Sequence, residues 1–183
     1  MTTNENGWSF DASHSGIGFA VRHLMISKVR GTFDKWTGTF AYDAEDPTRS
    51  TIDVRIDAAS INTKEEKRDG HLRSADFFDV ENHPEIRFRS TLVERDGDDY
   101  VVAGELTIRG TTRPVKLAVE RLGSGRDPWG GERVGFAAKT TINRKDFGLH
   151  WNQALETGGV LVGEKVEITL DVEAVRVAQQ KVA

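Results

Sequence analysis

The feature that most restricts the fold is an alternation of apolar and polar residues that recurs along most of the chain. The last run is the clearest, since Val166, Ile168, Leu170 and Val172 alternate with charged or hydroxyl-bearing residues. A period of two places the apolar side chains on one face of a β-strand. Eight segments follow this pattern, at residues 15–23, 29–42, 50–57, 85–94, 99–109, 112–122, 132–144 and 164–177.

Each predicted strand has one apolar face, and a sheet of such strands must cover that face. Most strands after residue 85 are joined by short turns, which indicates antiparallel pairing between neighbours. Eight strands are enough for a sheet to close around its own side chains or one small ligand. The pattern therefore predicts an all-β protein, an eight-stranded antiparallel up-and-down barrel. Within 29–42 the apolar set changes parity, which indicates a bulge near Asp34 and Lys35.

The segment from Ser60 to Ser90 is the long stretch that reads differently, and much of it lies between the third and fourth predicted strands. We expect a helix here with Thr63 as its N-cap and acidic residues in its first turn. Phe77 and Phe78 follow, and a helical turn would let both rings reach the rim of a barrel. The sequence therefore predicts a helical insert that covers one mouth, with the two Phe narrowing the entrance.

The composition favours one globular domain, residues 1–183, with a core at about 8–177. The net charge of −4 argues against a nucleic-acid partner, because nucleic-acid surfaces attract clusters of Lys and Arg. No apolar run approaches the roughly 20 residues of a membrane span, and the polar N-terminus lacks the pattern of a secretory signal. We therefore expect no membrane span and a cytoplasmic location.

Residues that could carry catalysis or bind a metal are scattered. The chain has no cysteine, and its five histidines show no spacing typical of a zinc site. Asp69 could meet His71, but a helix end at Gly70 explains these residues better. Asp76 and Asp79 flank the two Phe, where capping of a turn explains them better than paired catalytic carboxylates. We expect no metal, no catalytic residue and no enzyme.

The inward faces of the strands combine many Phe with Gly, Ala and Thr. Such a barrel could be packed by its own side chains, or it could enclose a ligand cavity. A cavity with this lining would favour a long apolar ligand, because each buried methylene contributes about 0.8 kcal/mol. The residues alone leave both interpretations open.

Several short motifs occur in order along nearly the whole chain. They are residues 8–23 (WSFDASHSGIGFAVRH), 31–33 (GTF) with Gly38, 59–63 (ASINT), 69–79 (DGHLRSADFFD), 84–90 (PEIRFRS), 104–112 (GELTIRGTT) and 144–148 (RKDFG). Together they resemble the YceI-like family, from Trp8 to about Val175. The resemblance implies a lipocalin-like barrel whose apolar tunnel takes polyisoprenoids or other amphiphilic chains, such as isoprenoid quinones or prenyl phosphates. It also implies no established catalysis, no cofactor apart from the bound lipid, and a homodimer.

Candidate ligand contacts come from the inward strand faces and from the matched motifs. The predicted ligand-binding residues are Phe19, Val21, Phe33, Trp36, Phe40, Phe77, Phe78, Phe88, Leu106, Phe136, Phe147 and Leu149. His14 and Arg144 are candidates for contact with a polar head group. For both, a hydrogen bond that closes the barrel end is the alternative.

The leading functional hypothesis is a carrier or sequestering protein for a long apolar amphiphile. One alternative is an enzyme that acts on such a lipid through His14, His71 or Arg144, which would place a histidine with a shifted pKa at the tunnel wall. The other is a packed barrel that serves only as an interaction scaffold, with an exposed apolar patch.

Overall fold

A computed structural model describes residues 7–156 and 158–176, which form one curled sheet with a short α-helix. The strands are β1 (Trp8–Phe10), β2 (Gly16–His23), β3 (Ser27–Phe33), β4 (Trp36–Ala41), β5 (Thr51–Asp57), β6 (Ile61–Asn62), β7 (Glu85–Asp96), β8 (Asp99–Ile108), β9 (Thr111–Arg126), β10 (Glu132–Asn143) and β11 (Val162–Arg176). The helices are α1 (Glu66–Arg73) and 3₁₀ turns at Pro47–Arg49, Ala58–Ser60 and Arg144–Phe147. None of these helices is long and apolar enough to cross a membrane.

The sheet is antiparallel, with strand order β4-β5-β7-β8-β9-β10-β11-β2-β3-β6. Its curl directs the apolar faces of the strands to a common interior. The predicted fold class is confirmed: the protein is an all-β antiparallel barrel with a helical insert between β5 and β7. The strand count differs from eight because β1 and β6 are short extra strands, of three and two residues, and because one predicted strand is divided.

The predicted strand at 29–42 is two strands, and this corrects the expected bulge. β3 and β4 follow one another in the chain but lie toward opposite ends of the strand order. Between them Asp34 N donates to Ser60 O (3.1 Å) and Lys35 N donates to Ser60 Oγ (3.0 Å). The change of parity therefore marks a crossing between two sheet edges rather than an extra residue within one strand.

At the seam, the line along which β1 and β3 face β4, the contacts between described residues are mainly between side chains. No strand pairing joins β4 to β1 or β3 in the described residues. β1 pairs instead with the end of β11 and packs against β4. Ring centroids lie 5.4 Å apart for Phe10 and Trp36, 5.5 Å for Phe10 and Phe40, and 5.4 Å for Trp8 and Tyr42. Aromatic rings thus pack along this part of the wall, where the described strands form no ladder.

Helix α1 begins later than predicted, since its N-cap is Glu65 rather than Thr63. The Glu65 carboxylate accepts two backbone N–H groups of the first turn, at 2.7 and 3.2 Å. Lys64 has a φ of 62°, which separates Thr63 from the helix. Thr63 donates instead from its N and Oγ1 to the buried Asp69 (2.9 and 2.5 Å). The helix also continues through Gly70, which therefore does not end it.

Glycines in the sheet make room for the aromatic rings of the core. A Cβ on Gly104 would lie 2.5 Å from Arg89 O and 2.6 Å from Phe88 Cε2, both on the neighbouring strand β7. A Cβ on Gly31 would lie 2.5 Å from Phe19 Cζ. The rings of Phe88 and Phe19 therefore lie directly on glycine backbone, at distances that any larger residue would forbid.

Gly104→Ala should lower the free energy of unfolding by about 1–3 kcal/mol, because the new methyl group must displace the β7 backbone or the Phe88 ring. Urea unfolding followed by tryptophan fluorescence measures the change. Gly125→Ala is the matched control, since a Cβ there meets no atom within 4 Å, and its effect should stay within about 0.5 kcal/mol. Equal effects at the two glycines would contradict this account of the core.

Candidate functional site

The interior of the barrel contains a cavity of about 260 Å³. Its exposed lining is apolar, so it offers water few hydrogen-bond partners. The interior is therefore not completely filled by side chains. The twelve apolar residues predicted as ligand contacts all border the cavity: Phe19, Val21, Phe33, Trp36, Phe40, Phe77, Phe78, Phe88, Leu106, Phe136, Phe147 and Leu149. Their contact with a ligand remains a prediction.

The far end of the barrel, away from α1, is filled by an aromatic cluster. Phe136 of β10 meets Phe40 and Tyr42 at ring-centroid distances of 5.9 and 5.6 Å, both edge to face. Trp8 packs beside them, and all four rings are buried. Of these four, Phe40, Tyr42 and Phe136 border the cavity and bound it at this end. Edge-to-face contact is a favoured arrangement of aromatic rings.

The plug, formed by Phe77, Phe78 and Trp151, covers the insert end of the barrel. Phe78 contacts Phe33 of β3 at a centroid distance of 5.8 Å. Phe77 contacts Trp151 at 5.3 Å and His71 at 5.1 Å. Phe78 therefore reaches a barrel strand, whereas Phe77 packs between the insert and the segment that follows β10. Whether these rings control access to the cavity remains a prediction.

The polar residues around the plug bind locally. His71 Nε2 lies 2.8 Å from Asp76 Oδ2. Asp79 accepts a hydrogen bond from Asn82 Nδ2 at 3.0 Å. Asp76 and Asp79 therefore contact neighbouring side chains, and the expectation that they cap the turn stays a prediction.

Arg144 is buried at the insert end, where it binds four backbone carbonyls. Its Nε donates to Gly163 O (2.9 Å), Nη1 donates to Leu149 O (2.6 Å) and Trp151 O (2.9 Å), and Nη2 donates to Val162 O (3.3 Å). Burial lowers the pKa of Arg144. The side chain borders the cavity, but its donors point to these carbonyls. These hydrogen bonds close the barrel end. They are the alternative that was given for Arg144 in place of contact with a polar head group.

His14 does not border the cavity, which corrects its place among the candidate ligand contacts. It lies exposed on a turn in which its N donates to Asp11 O (3.2 Å) and its Nδ1 is 2.9 Å from Asp11 Oδ2. This hydrogen bond raises the pKa of His14. Arg133 donates to Asp11 (2.7 Å), to Asp127 (2.8 Å) and to Glu173. His14 therefore belongs to a charged cluster on the outer wall.

Part of this cluster has the composition of a metal site. Asp11, His14 and Glu173 place possible ligand atoms within 4.8 Å of one another. The guanidinium of Arg133 already binds both carboxylates, and its positive charge opposes a cation at the same place. The expectation that the protein binds no metal remains a prediction.

Some residues at the cavity wall were not among the predicted contacts. Ile17, Val54 and Val102 border the cavity, and the alternation within their strands is the signal that could have identified them. Ile61 and Leu72 also border it, but they lie in the two-residue β6 and in the polar helix α1. No period of two marks those segments, so only the folded structure brings them to the wall.

An open cleft of about 990 Å³ lies on the outer wall at the seam. Ile17, Phe33, Trp36 and Ile56 border both this seam cleft and the interior cavity. The charged residues of the seam cleft are Asp34, Lys35, Arg55, Asp57 and Glu85. A wall of side chains therefore separates the apolar interior from a polar surface cleft.

The fold and the interior define a class of protein, an antiparallel β-barrel with an apolar cavity. Residues 8–174 match the YceI-like domain, and the chain belongs to the YceI-like family. The UPF0312 protein ECA1782 of Pectobacterium atrosepticum is 42% identical over 166 residues, which cover 91% of this chain and 83% of that relative.

Solved structures share the fold. BcnA of Burkholderia cenocepacia superposes with a TM-score of 0.79 at 21% identity, covering 90% of this chain and 99% of that one. A polyisoprenoid binding domain from Saccharophagus degradans superposes with a TM-score of 0.67 at 16% identity, covering 94% and 99%. At these identities the likeness is one of fold.

Arg144→Met should lower the free energy of unfolding by at least about 3 kcal/mol, because a side chain of similar length leaves four carbonyls without their donors. Lys145→Met is the matched control, since Lys145 forms an exposed pair with Glu164 (2.6 Å) that contributes less than about 1 kcal/mol. Chemical denaturation of both variants measures the difference. A similar small loss in both would show that the four hydrogen bonds do not support the barrel end.

Proposed function

We propose that the protein binds the hydrocarbon chain of an amphiphilic lipid inside the barrel and acts as a carrier or store for it. The observation that carries the proposal is the cavity of about 260 Å³ with its apolar lining. The polyisoprenoid binding domain of the same fold supports an isoprenoid as the class of ligand. Membership of the YceI-like family agrees with a binding role.

Burial of the hydrocarbon supplies the affinity without a polar anchor inside the barrel. Each methylene removed from water contributes about 0.8 kcal/mol, which is roughly a fourfold gain in affinity. A polar head group inside the apolar cavity would instead lose its hydrogen bonds to water at a cost of about 2–7 kcal/mol. The chain of the ligand therefore lies inside, and its polar end lies outside.

The seam cleft is where the polar end of the ligand fits best. Five residues, Gly16, Ile17, Phe33, Trp36 and Ile56, border both the seam cleft and the cavity, so a chain passing between them would connect the two. The cleft carries three acidic and two basic residues, namely Asp34, Asp57, Glu85, Lys35 and Arg55. This charge balance disfavours a prenyl phosphate and favours a neutral head group, such as a prenyl alcohol or an isoprenoid quinone.

The size of the cavity limits how much of a long chain it holds in this conformation. Its volume of about 260 Å³ lies just below the roughly 300–1,000 Å³ of most small-molecule pockets. A long polyisoprenoid would have to widen the cavity. In the part of the chain that the structure describes, the plug and the seam are the places where the wall consists of side-chain contacts. Binding of a long chain therefore involves movement of one of these two.

The placement of ionisable groups supports binding rather than catalysis. In the described part of the chain none of the histidines borders the cavity, and His14 lies in the outer charged cluster. Arg144 uses its donors on backbone carbonyls. The histidine and arginine side chains that the enzyme hypothesis names therefore offer no free group to a ligand inside the barrel.

Ala138→Leu should weaken binding of farnesol by at least about tenfold, because the larger side chain occupies volume that the ligand would fill. Ala138 borders the cavity. The adjacent residue of β10 gives the matched control, Ala137→Leu, since Ala137 is not part of the lining. Displacement of a fluorescent apolar dye gives both affinities. Equal affinity in the two variants would place the ligand outside the barrel and overturn the proposal.

Phe78→Ala should raise the dissociation rate of a bound prenyl alcohol, because removal of the ring opens the contact with Phe33. Stopped-flow transfer of the ligand to acceptor vesicles measures the rate. Phe77→Ala, which alters the contacts with His71 and Trp151, should mainly reduce stability, by about 3–5 kcal/mol. If both variants lost stability and the dissociation rate stayed unchanged, Phe78 would contribute to core packing and would not control release of the ligand.

A further inference from the structure

The β2–β3 hairpin ends in an exposed apolar tip. Its turn consists of Leu24, Met25 and Ile26, and Met25 is 53% exposed and Ile26 84% exposed. Single apolar residues on a surface are common and need no explanation. Two further observations distinguish this tip, one from its backbone and one from its charges.

The backbone of the tip is held in an unfavourable conformation. Leu24 and Met25 have φ values of 52° and 64°, and Ile26 N donates to His23 O at 3.1 Å across the turn. Hairpin turns with positive φ at two central residues normally use Asn and Gly, because larger side chains crowd the following carbonyl. Leu and Met here maintain a strained turn that exposes apolar side chains, and strain of this kind points to function.

The outer face of the hairpin carries an excess of positive charge. Arg22 lies directly opposite Lys28 across the two strands, an arrangement of like charges that destabilises a sheet. Arg30 follows on the same face. Lys28 pairs with Glu167 at 2.7 Å, while Arg22 and Arg30 form no ion pair with the described residues. Three cations thus share one carboxylate on a protein whose net charge is −4.

The hairpin lies at the insert end of the barrel, beside the plug. Leu24 N donates to Leu161 O (2.9 Å), and Leu161 N donates to Gln153 O (2.9 Å). This contact joins the tip to the segment that follows Trp151, whose ring packs against Phe77. A surface that bound the tip would therefore face the covered mouth of the barrel.

We infer that the β2–β3 hairpin docks on an anionic lipid bilayer, with Met25 and Ile26 in the interface and Arg22, Lys28 and Arg30 on the lipid head groups. A small apolar tip flanked by cations is the arrangement by which proteins lie on such membranes. A nucleic acid would match the cations but not the apolar tip. A protein partner would match the tip without accounting for Arg22 and Arg30, which form no ion pair within residues 7–156 and 158–176. The bilayer is also the phase from which a lipid carrier takes its ligand, so this step adds to the proposed function.

Flotation of the full-length protein with vesicles tests the inference. Wild-type protein should float with phosphatidylcholine vesicles that contain phosphatidylglycerol, and salt should weaken this binding. Met25→Asn with Ile26→Thr should reduce the partition coefficient at least about tenfold. Asn accepts a positive φ, so this variant should keep its stability, which urea unfolding checks. Arg22→Gln with Arg30→Gln should reduce binding about fivefold for each cation.

The control is Trp129→Ser, which removes an 87% exposed ring from the β9–β10 turn at the far end and should leave vesicle binding unchanged. Wild-type protein that does not float, hairpin variants that float normally, or an equal loss in Trp129→Ser would each overturn the inference. So would a hairpin variant that changes only the oligomeric state, since a second copy would then cover the tip. The vesicles contain no isoprenoid, so failure here would leave the proposed cavity ligand untouched.

Discussion

Closure of the sheet depends on contacts between side chains where β1 meets β4. A curled sheet with one apolar face is stable only when that face is fully enclosed, and among residues 7–156 and 158–176 no strand ladder joins β4 to β1 or β3. The ring of Phe10 lies against Trp36 and Phe40. Toward the insert end, Lys35 O accepts from Asp57 N at 3.0 Å and its own N binds Ser60. Among the described residues, a few aromatic contacts, each worth about 0.5–1.5 kcal/mol beyond the area it buries, and a short hydrogen-bonded crossing hold the two edges of the sheet together.

The irregular segments at the insert end direct their polar groups away from the cavity. Backbone carbonyls in loops need donors when they are buried, and several arginines supply them, among them Arg144 and Arg109. Arg144 binds the carbonyls around the segment after β10. Arg109 donates to Gly148 O (3.1 Å) and Ala75 O (2.8 Å), which ties that segment to the insert. The mouth of the barrel is thus built from satisfied polar groups outside and rings inside. That separation explains how one end can be polar in composition and yet present an apolar surface to the interior.

Strand periodicity made much of this architecture predictable, and the failures lie where tertiary contacts override it. The alternation in β11 depends only on which face is buried, so it could be read directly from residues 164–177. The parity change at Asp34 has two structural causes, a bulge or a crossing between edges, and local sequence does not distinguish them. The sequence made Thr63 a reasonable N-cap, but in the structure its hydroxyl donates to Asp69, six residues later. His14 lies in a motif shared with the family but turns outward to Asp11, which only the folded structure reveals.

The apolar cavity also has a mechanical consequence. An interior packed to the usual density resists compression, whereas a void contributes to the volume lost when a chain unfolds. A cavity of about 260 Å³ that water does not stabilise should make this barrel soft under hydrostatic pressure. A hydrocarbon chain within it would remove that softness. The residues that line the cavity therefore also determine how the volume of the native protein responds to pressure. Ligand affinity and compressibility both depend on the volume of this cavity.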